Sequence, residues 1–174
     1  QMKLNLANFV LGQDERNKAL QLTREARIEF TIQEDNIMLS KALMLEGHIL
    51  SLQKKYADAL NLFQKSLKIA LEEDDIYGKA EVYNNLGLLY NDLNEYDSAI
   101  YYLHQSAEID KQLGRTYFQA ISEANLALVY MNKNKKEKSI DYINRSIAHG
   151  RETGELRDIS EMMGYAAEIY YESG

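Results

Sequence analysis

The sequence predicts an all-α fold built as an array of antiparallel helix pairs, and three observations carry that prediction. The chain resembles itself when shifted by 40 residues. Within one period, apolar and small residues recur at helical spacing, stop at a short polar joint, and start again. The 174 residues also contain no proline, which permits uninterrupted helices and argues against a turn-rich β protein.

The self-alignment defines columns. A small residue recurs at Ala7, Gly47, Gly87, Ala127 and Ala167, and a larger one three places on at Val10, Leu50, Tyr90, Tyr130 and Tyr170. Ala19, Ala59, Ala99 and Ser139 form a second small column, each followed by Leu20, Leu60, Ile100 or Ile140. Two more run through Ala26, Ser66, Ser106 and Ser146, and through Ser40, Ala80, Ala120 and Ser160. Small side chains at fixed places let two helix backbones approach where a larger one would hold them apart.

The units follow in order. Residues 1–35 are a degenerate copy, and 36–75, 76–115 and 116–155 are full copies. A half unit, 156–174, brings the expected total to about 4.5 repeats and nine helices. The pattern is clearest in 76–115. Ala80, Tyr83, Leu86, Gly87 and Tyr90 mark one helix face, Asn91–Asn94 a turn, and Tyr96, Ala99, Ile100, Leu103 and Ala107 the next face. Glycine costs about 1 kcal/mol against alanine inside a helix. Its use at Gly47 and Gly87, with alanine in other copies, predicts a packing role.

The run Tyr83-Asn84-Asn85-Leu86-Gly87-Leu88-Leu89-Tyr90, followed by Tyr96, Ala99, Leu103 and Ser106, resembles the tetratricopeptide repeat. The copy from Leu43 to Ser66 matches through Gly47, Tyr56, Ala59 and Phe63. The copy from Glu123 to Ser146 matches through Leu126, Ala127, Tyr130 and Ile143, with Ser139 where alanine is usual. The resemblance implies a right-handed α-solenoid that binds protein or peptide ligands. The family's usual proline is absent and the period is 40 instead of ~34, which resembles the longer-repeat branch found in signalling adaptors and bacterial regulators.

Composition bounds the function. One domain over 1–174 is expected from the length. Forty-five per cent hydrophobic and 27% charged residues describe a globular chain. A net charge of −7 disfavours nucleic acid as a partner. Without cysteine there is no disulfide, thiol nucleophile or cysteine-ligated zinc. No apolar run approaches the ~18–20 residues of a membrane span, and Gln1–Leu11 does not read as a signal peptide. The opening without methionine and the apolar ending suggest a piece of a longer protein, in the cytoplasm or, as part of a sensor, the periplasm.

No catalytic constellation stands out, so no enzyme activity and no cofactor are expected. His48, His104 and His149 lie in different units without metal-ligand spacing. Phosphate-loop and nucleophile-elbow patterns are missing. The acidic run Glu72–Asp75 precedes a helix, where acids cap amides and complement the dipole. The basic run Lys133–Lys138 fills a turn and reads as a solvated joint or a docking patch for an acidic partner. Most of the 13 tyrosines fall in the repeat's packing columns and are expected in the core.

First helices line the concave side of such an array, so their residues outside the packing columns are the candidate ligand contacts. One column reads Asn5, Leu45, Asn85, Asn125, Tyr165. An asparagine amide offers a donor and an acceptor together, matching an extended peptide backbone. Its poor helix propensity is offset only where the side chain finds a partner, either a ligand or a neighbouring helix. Some members of the resembled family, among them the repeat domain of the O-GlcNAc-transferring enzyme, use such an asparagine ladder. Flanking columns add Asn8, His48, Leu88 and Leu128; Gln1, Lys41, Glu81 and Ile121; and Leu4, Met44, Asn84 and Ala124, with Met131 nearby. The expected peptide-binding residues are Asn85, Asn125, Asn84, Leu88, Leu128, Met131, His48, Asn5, Glu81 and Lys41. The family's carboxylate-clamp pattern wants Lys at Met44, Asn at His48, Lys at Ile121 and Arg at Asn125; only Asn85 fits, so that reading is rejected.

The expected function is a non-catalytic module whose groove captures an extended or helical polypeptide segment. A second reading, from the resemblance to bacterial peptide-responsive regulators and sensor kinases, is a ligand-sensing regulatory domain. Met162, Met163, Ile169 and Tyr170 leave an apolar face on helix 156–172, for further repeats, the next domain or a second copy in a homodimer.

Overall fold

The computed structural model describes residues 1–13, 15–153 and 171. Among them are eight helices and no strand: α1 (Met2–Leu11), α2 (Arg16–Ile32), α3 (Asn36–Leu52), α4 (Tyr56–Glu72), α5 (Ile76–Asp92), α6 (Tyr96–Gln112), α7 (Thr116–Asn132) and α8 (Lys136–Thr153). Nine helices were expected; the ninth, over 156–172, lies outside the described residues. None of the eight is long and apolar enough to cross a membrane.

Helices α2 to α7 each contain 17 residues, and the stop between them is chemical. At each of the six joints between α2 and α8 one residue takes a left-handed conformation: Glu34, Lys54, Asp74, Asn94, Gly114 and Asn134. The next amide then reaches back to the last turn of the finished helix, as in Asp35 N–H to Phe30 C=O at 3.0 Å and Arg115 N–H to Asp110 C=O at 2.8 Å. This six-to-one closure satisfies carbonyls that would otherwise be orphaned. Restarts are capped at two joints, where Asp35 accepts from Met38 N–H and Asp75 from Gly78 N–H. The acidic run thus includes a helix cap.

By contact the chain divides into two compact units, Gln1–Asn85 and Leu86–Gly174. In the first, Leu4, Ala26, Phe30 and Ala42 form a buried cluster from α1, α2 and α3. Gly47 on α3 faces Phe63 on α4, and a β-carbon at Gly47 would stand 2.8 Å from the ring. The small columns also hydrogen-bond across the pair, with the Ser40 and Ser66 hydroxyls 2.8 Å apart and each also donating to the other residue's carbonyl.

In the second unit Ala99, Leu103, Leu126, Val129 and Tyr130 make the core, and Ala127 packs with Ile143. A β-carbon at Gly87 would lie 2.5 Å from Leu103 Cγ, so glycine is there for close helix approach. Tyr90 stacks on Tyr102 at 5.4 Å, and one period later Tyr130 stacks on Tyr142 at 5.3 Å. Fully burying a leucine or phenylalanine contributes about 1.5–3 kcal/mol, so the apolar columns supply most of each unit's cohesion.

Candidate peptide groove

In the first unit a groove of about 320 Å³ opens between the first helices α1, α3 and α5. Its lining is Gln1 at the N-cap of α1, Leu4, Asn5 and Asn8 from α1, Lys41, Met44, Leu45 and His48 from α3, and Glu81 and Asn85 from α5. Helical periodicity places them there: within each helix they sit three or four residues apart, on the face beside the packing columns. Leu4, Met44 and Leu45 give the groove apolar surface. Four amides, one ammonium, one carboxylate and one imidazole supply polar groups. Burial lowers the His48 pKa below the ordinary imidazole value of 6.5, so this side chain is neutral at pH 7.

Five expected contact residues, Asn5, Lys41, His48, Glu81 and Asn85, come together in this groove. Asn84 is half-buried on the same α5 but does not line it. Leu88, Asn125, Leu128 and Met131 belong to the second unit, all half-buried. Met131 there packs against the Ala127–Ile143 cluster, so it is in part a core residue.

The asparagine column has a local partner. Asn85 donates through Nδ2 to the Glu81 carbonyl of its own helix at 2.9 Å, not to a neighbouring first helix. That bond engages one of two amide N–H groups. Asn5 accepts from Gln1 Nε2 at 3.1 Å. An asparagine bond between repeats does occur, but in the last turns of α5 and α7, where Asn132 donates to Asn91 at 2.9 Å. The basic run is also engaged: Lys133 pairs with Asp97, and Lys138 lies over the Tyr130 ring at 5.2 Å.

Three buried carboxylates escaped the sequence reading. Glu46 takes Arg24 Nε at 2.7 Å and Arg27 Nε at 2.9 Å, both from α2. Asp110 pairs with Arg115 at 3.2 Å. Glu123 takes Arg145 at 2.8 Å and His149 at 2.7 Å, both from α8. The signal was a charge in an apolar column: Glu46 aligns with Leu86 and Leu126, and Glu123 with Leu43 and Tyr83. Each acid sits among bases, an arrangement that holds helices together. Among the described residues no three acidic, histidine or cysteine side chains are grouped to hold a metal ion.

Helix pairs with glycine or alanine at the crossing define a helical-repeat protein. The tetratricopeptide repeat pattern matches residues 38–112 and again 124–148, and the chain belongs to that family. A comparison with curated proteins found no match. Among solved structures, BtubC (BKLC) from P. vanneervenii superposes with a TM-score of 0.78 at 22% identity, covering 97% of this chain and 70% of that one. Aspartyl phosphate phosphatase F from Bacillus subtilis gives 0.83 at 18% identity, over 96% of this chain. A Rap protein complexed with competence and sporulation factor gives 0.79 at 14% identity, over 97%. This chain spans 44% of the phosphatase's length and 54% of that Rap protein's. At these identities the likeness is one of fold.

Proposed function

We propose that the chain is a non-catalytic interaction module, a single tetratricopeptide array over 1–174, whose first-helix groove captures a polypeptide segment. The observation that carries this reading is the convergence of Asn5, Asn8 and Asn85 around the apolar surface of Leu4, Met44 and Leu45. Amides address a peptide backbone without demanding a particular side chain, and the apolar surface accepts one. Asn125, Leu88 and Leu128 would serve the same way in the second unit. The complex of one structural neighbour, a Rap protein, with competence and sporulation factor adds support for a bound partner.

The test is capture from a lysate of the source organism with the native chain and with the Asn85→Ala/Asn125→Ala variant. A partner held by the first and lost by the second, with an unchanged melting temperature, supports the groove. A partner kept by both variants removes it.

A second reading is a ligand-sensing regulatory domain of a bacterial signalling protein. The likeness to the Bacillus subtilis phosphatase and to Rap proteins favours it. In that case ligand binding would shift the relative populations of two arrangements of the array. An output domain attached to the natural polypeptide would distinguish it from a free-standing module.

A further inference from the structure

One helix face in the first unit departs from its own repeat. Met2, Leu6 and Phe9 sit on one side of α1 at i, i+4 and i+7 and are 83%, 44% and 63% exposed. The same three columns in the other first helices are buried to 3% exposure or less: Ala42, Glu46 and Ile49 on α3; Val82, Leu86 and Leu89 on α5; Ser122, Leu126 and Val129 on α7.

On α3 and α7 what covers those columns is the second helix that comes before. On α3, Ala42 packs with Ala26 and Phe30 of α2, and Glu46 takes Arg24 and Arg27 of α2. On α7, Leu126 and Val129 pack with Ala99 and Leu103 of α6. The residues of α1 in these columns are at least as apolar as their counterparts. A solvated end of a repeat array carries polar residues on its outer face, and this face does not.

We propose that the Met2–Leu6–Phe9 face of α1 is the seat of one further amphipathic helix, supplied by an adjoining tetratricopeptide repeat of the same polypeptide. The occupant's chemistry follows from α6: small residues in the places of Ala99 and Ser106, and a leucine-sized residue between them in the place of Leu103. A large side chain in the small places would hold the backbones apart. Self-association is the alternative occupant, and the three-residue face of a ten-residue helix is small for a stable dimer.

The test extends the chain in repeat register. Residues Glu95–Ala120, which carry α6, its joint and the start of α7, are joined directly to Gln1, because Gln1 occupies the column of Ile121. The extended chain should gain helix by circular dichroism and melt roughly 5–10 °C higher. Leu6→Gln/Phe9→Gln should remove most of that gain. In the unextended chain the same pair should leave the fold intact, since both side chains face solvent, and should lower binding of a hydrophobic dye. An extension that adds no helix or no stability overturns the proposal. So does a sedimentation mass showing a dimer of the unextended chain that the double variant dissolves, which would assign the face to a second copy.

Discussion

His149 Nδ1 lies 2.7 Å from Glu123 Oε2, joining α8 to a carboxylate that α7 buries almost completely. The other oxygen of Glu123 takes Arg145 at 2.8 Å and Gln119 at 3.2 Å. A buried carboxylate is tolerable only while its partners are present. Arg145→Met should therefore destabilise by about 1–3 kcal/mol, the lower end reflecting its half-exposed guanidinium. Adding Glu123→Gln, which removes the charge left behind, should cost less than the sum of the two single changes. Urea denaturation of the four proteins in the cycle measures this coupling, and strict additivity would show that the cluster is not acting as a unit.

Gly87 and Leu103 set a second expectation. With a β-carbon 2.5 Å from Leu103 Cγ and 3.3 Å from the Ala99 carbonyl, Gly87→Ala should cost about 1–3 kcal/mol by overpacking, outweighing its helix-propensity gain of about 1 kcal/mol. Gly87→Leu should be worse. Gly87→Ala combined with Leu103→Val should recover part of the loss, which separates steric conflict from any other effect. Thermal melts of the three variants decide it.

These glycines were legible in the sequence because repetition acts as an internal control. Ala127 stands where Gly47 and Gly87 do, which marked the column as a close crossing, and the two glycines face Phe63 and Leu103 without room for a β-carbon. The groove's lining was legible for the same reason, since a column off the packing face recurs on one side of every first helix. The partner of Asn85 was not. Whether its amide turns to the Glu81 carbonyl or to the next helix depends on a rotamer and a helix separation that spacing does not encode. Nor was the place of Met131, which packs against the Ala127–Ile143 cluster. The buried acids were hidden by abundance, with 27 acidic residues in the chain.

The joints give a third expectation. Gly114 takes φ 66° with open space around it, whereas Lys54 takes φ 61° with a side chain. Left-handed backbone costs a residue bearing a β-carbon about 1–2 kcal/mol, and glycine escapes that cost. Gly114→Ala should therefore lower stability by about 1 kcal/mol, and Lys54→Gly should raise it, less the entropy that glycine adds to the unfolded chain. Opposite shifts in the urea midpoint are the expected signature. A loss from both variants would mean that Lys54 contributes contacts worth more than its backbone strain.

Acid sensitivity supplies the fourth. Burial lowers the His48 pKa, and burial followed by the charges of Arg145 and Lys138 lowers that of His104, whose Nε2 also lies 3.2 Å from the Tyr142 hydroxyl. Both start from 6.5 in the unfolded chain. Below that pH the unfolded state binds protons that the folded state resists, so stability rises with pH through this window and falls as pH drops from 6.5 toward the folded values. Protonation of native carboxylates adds its own loss at lower pH, below about 5. Urea midpoints should therefore decline between about pH 7 and 5.5, and His48→Gln/His104→Gln should flatten the decline. An undiminished slope in that double variant would show that neither imidazole carries the sensitivity.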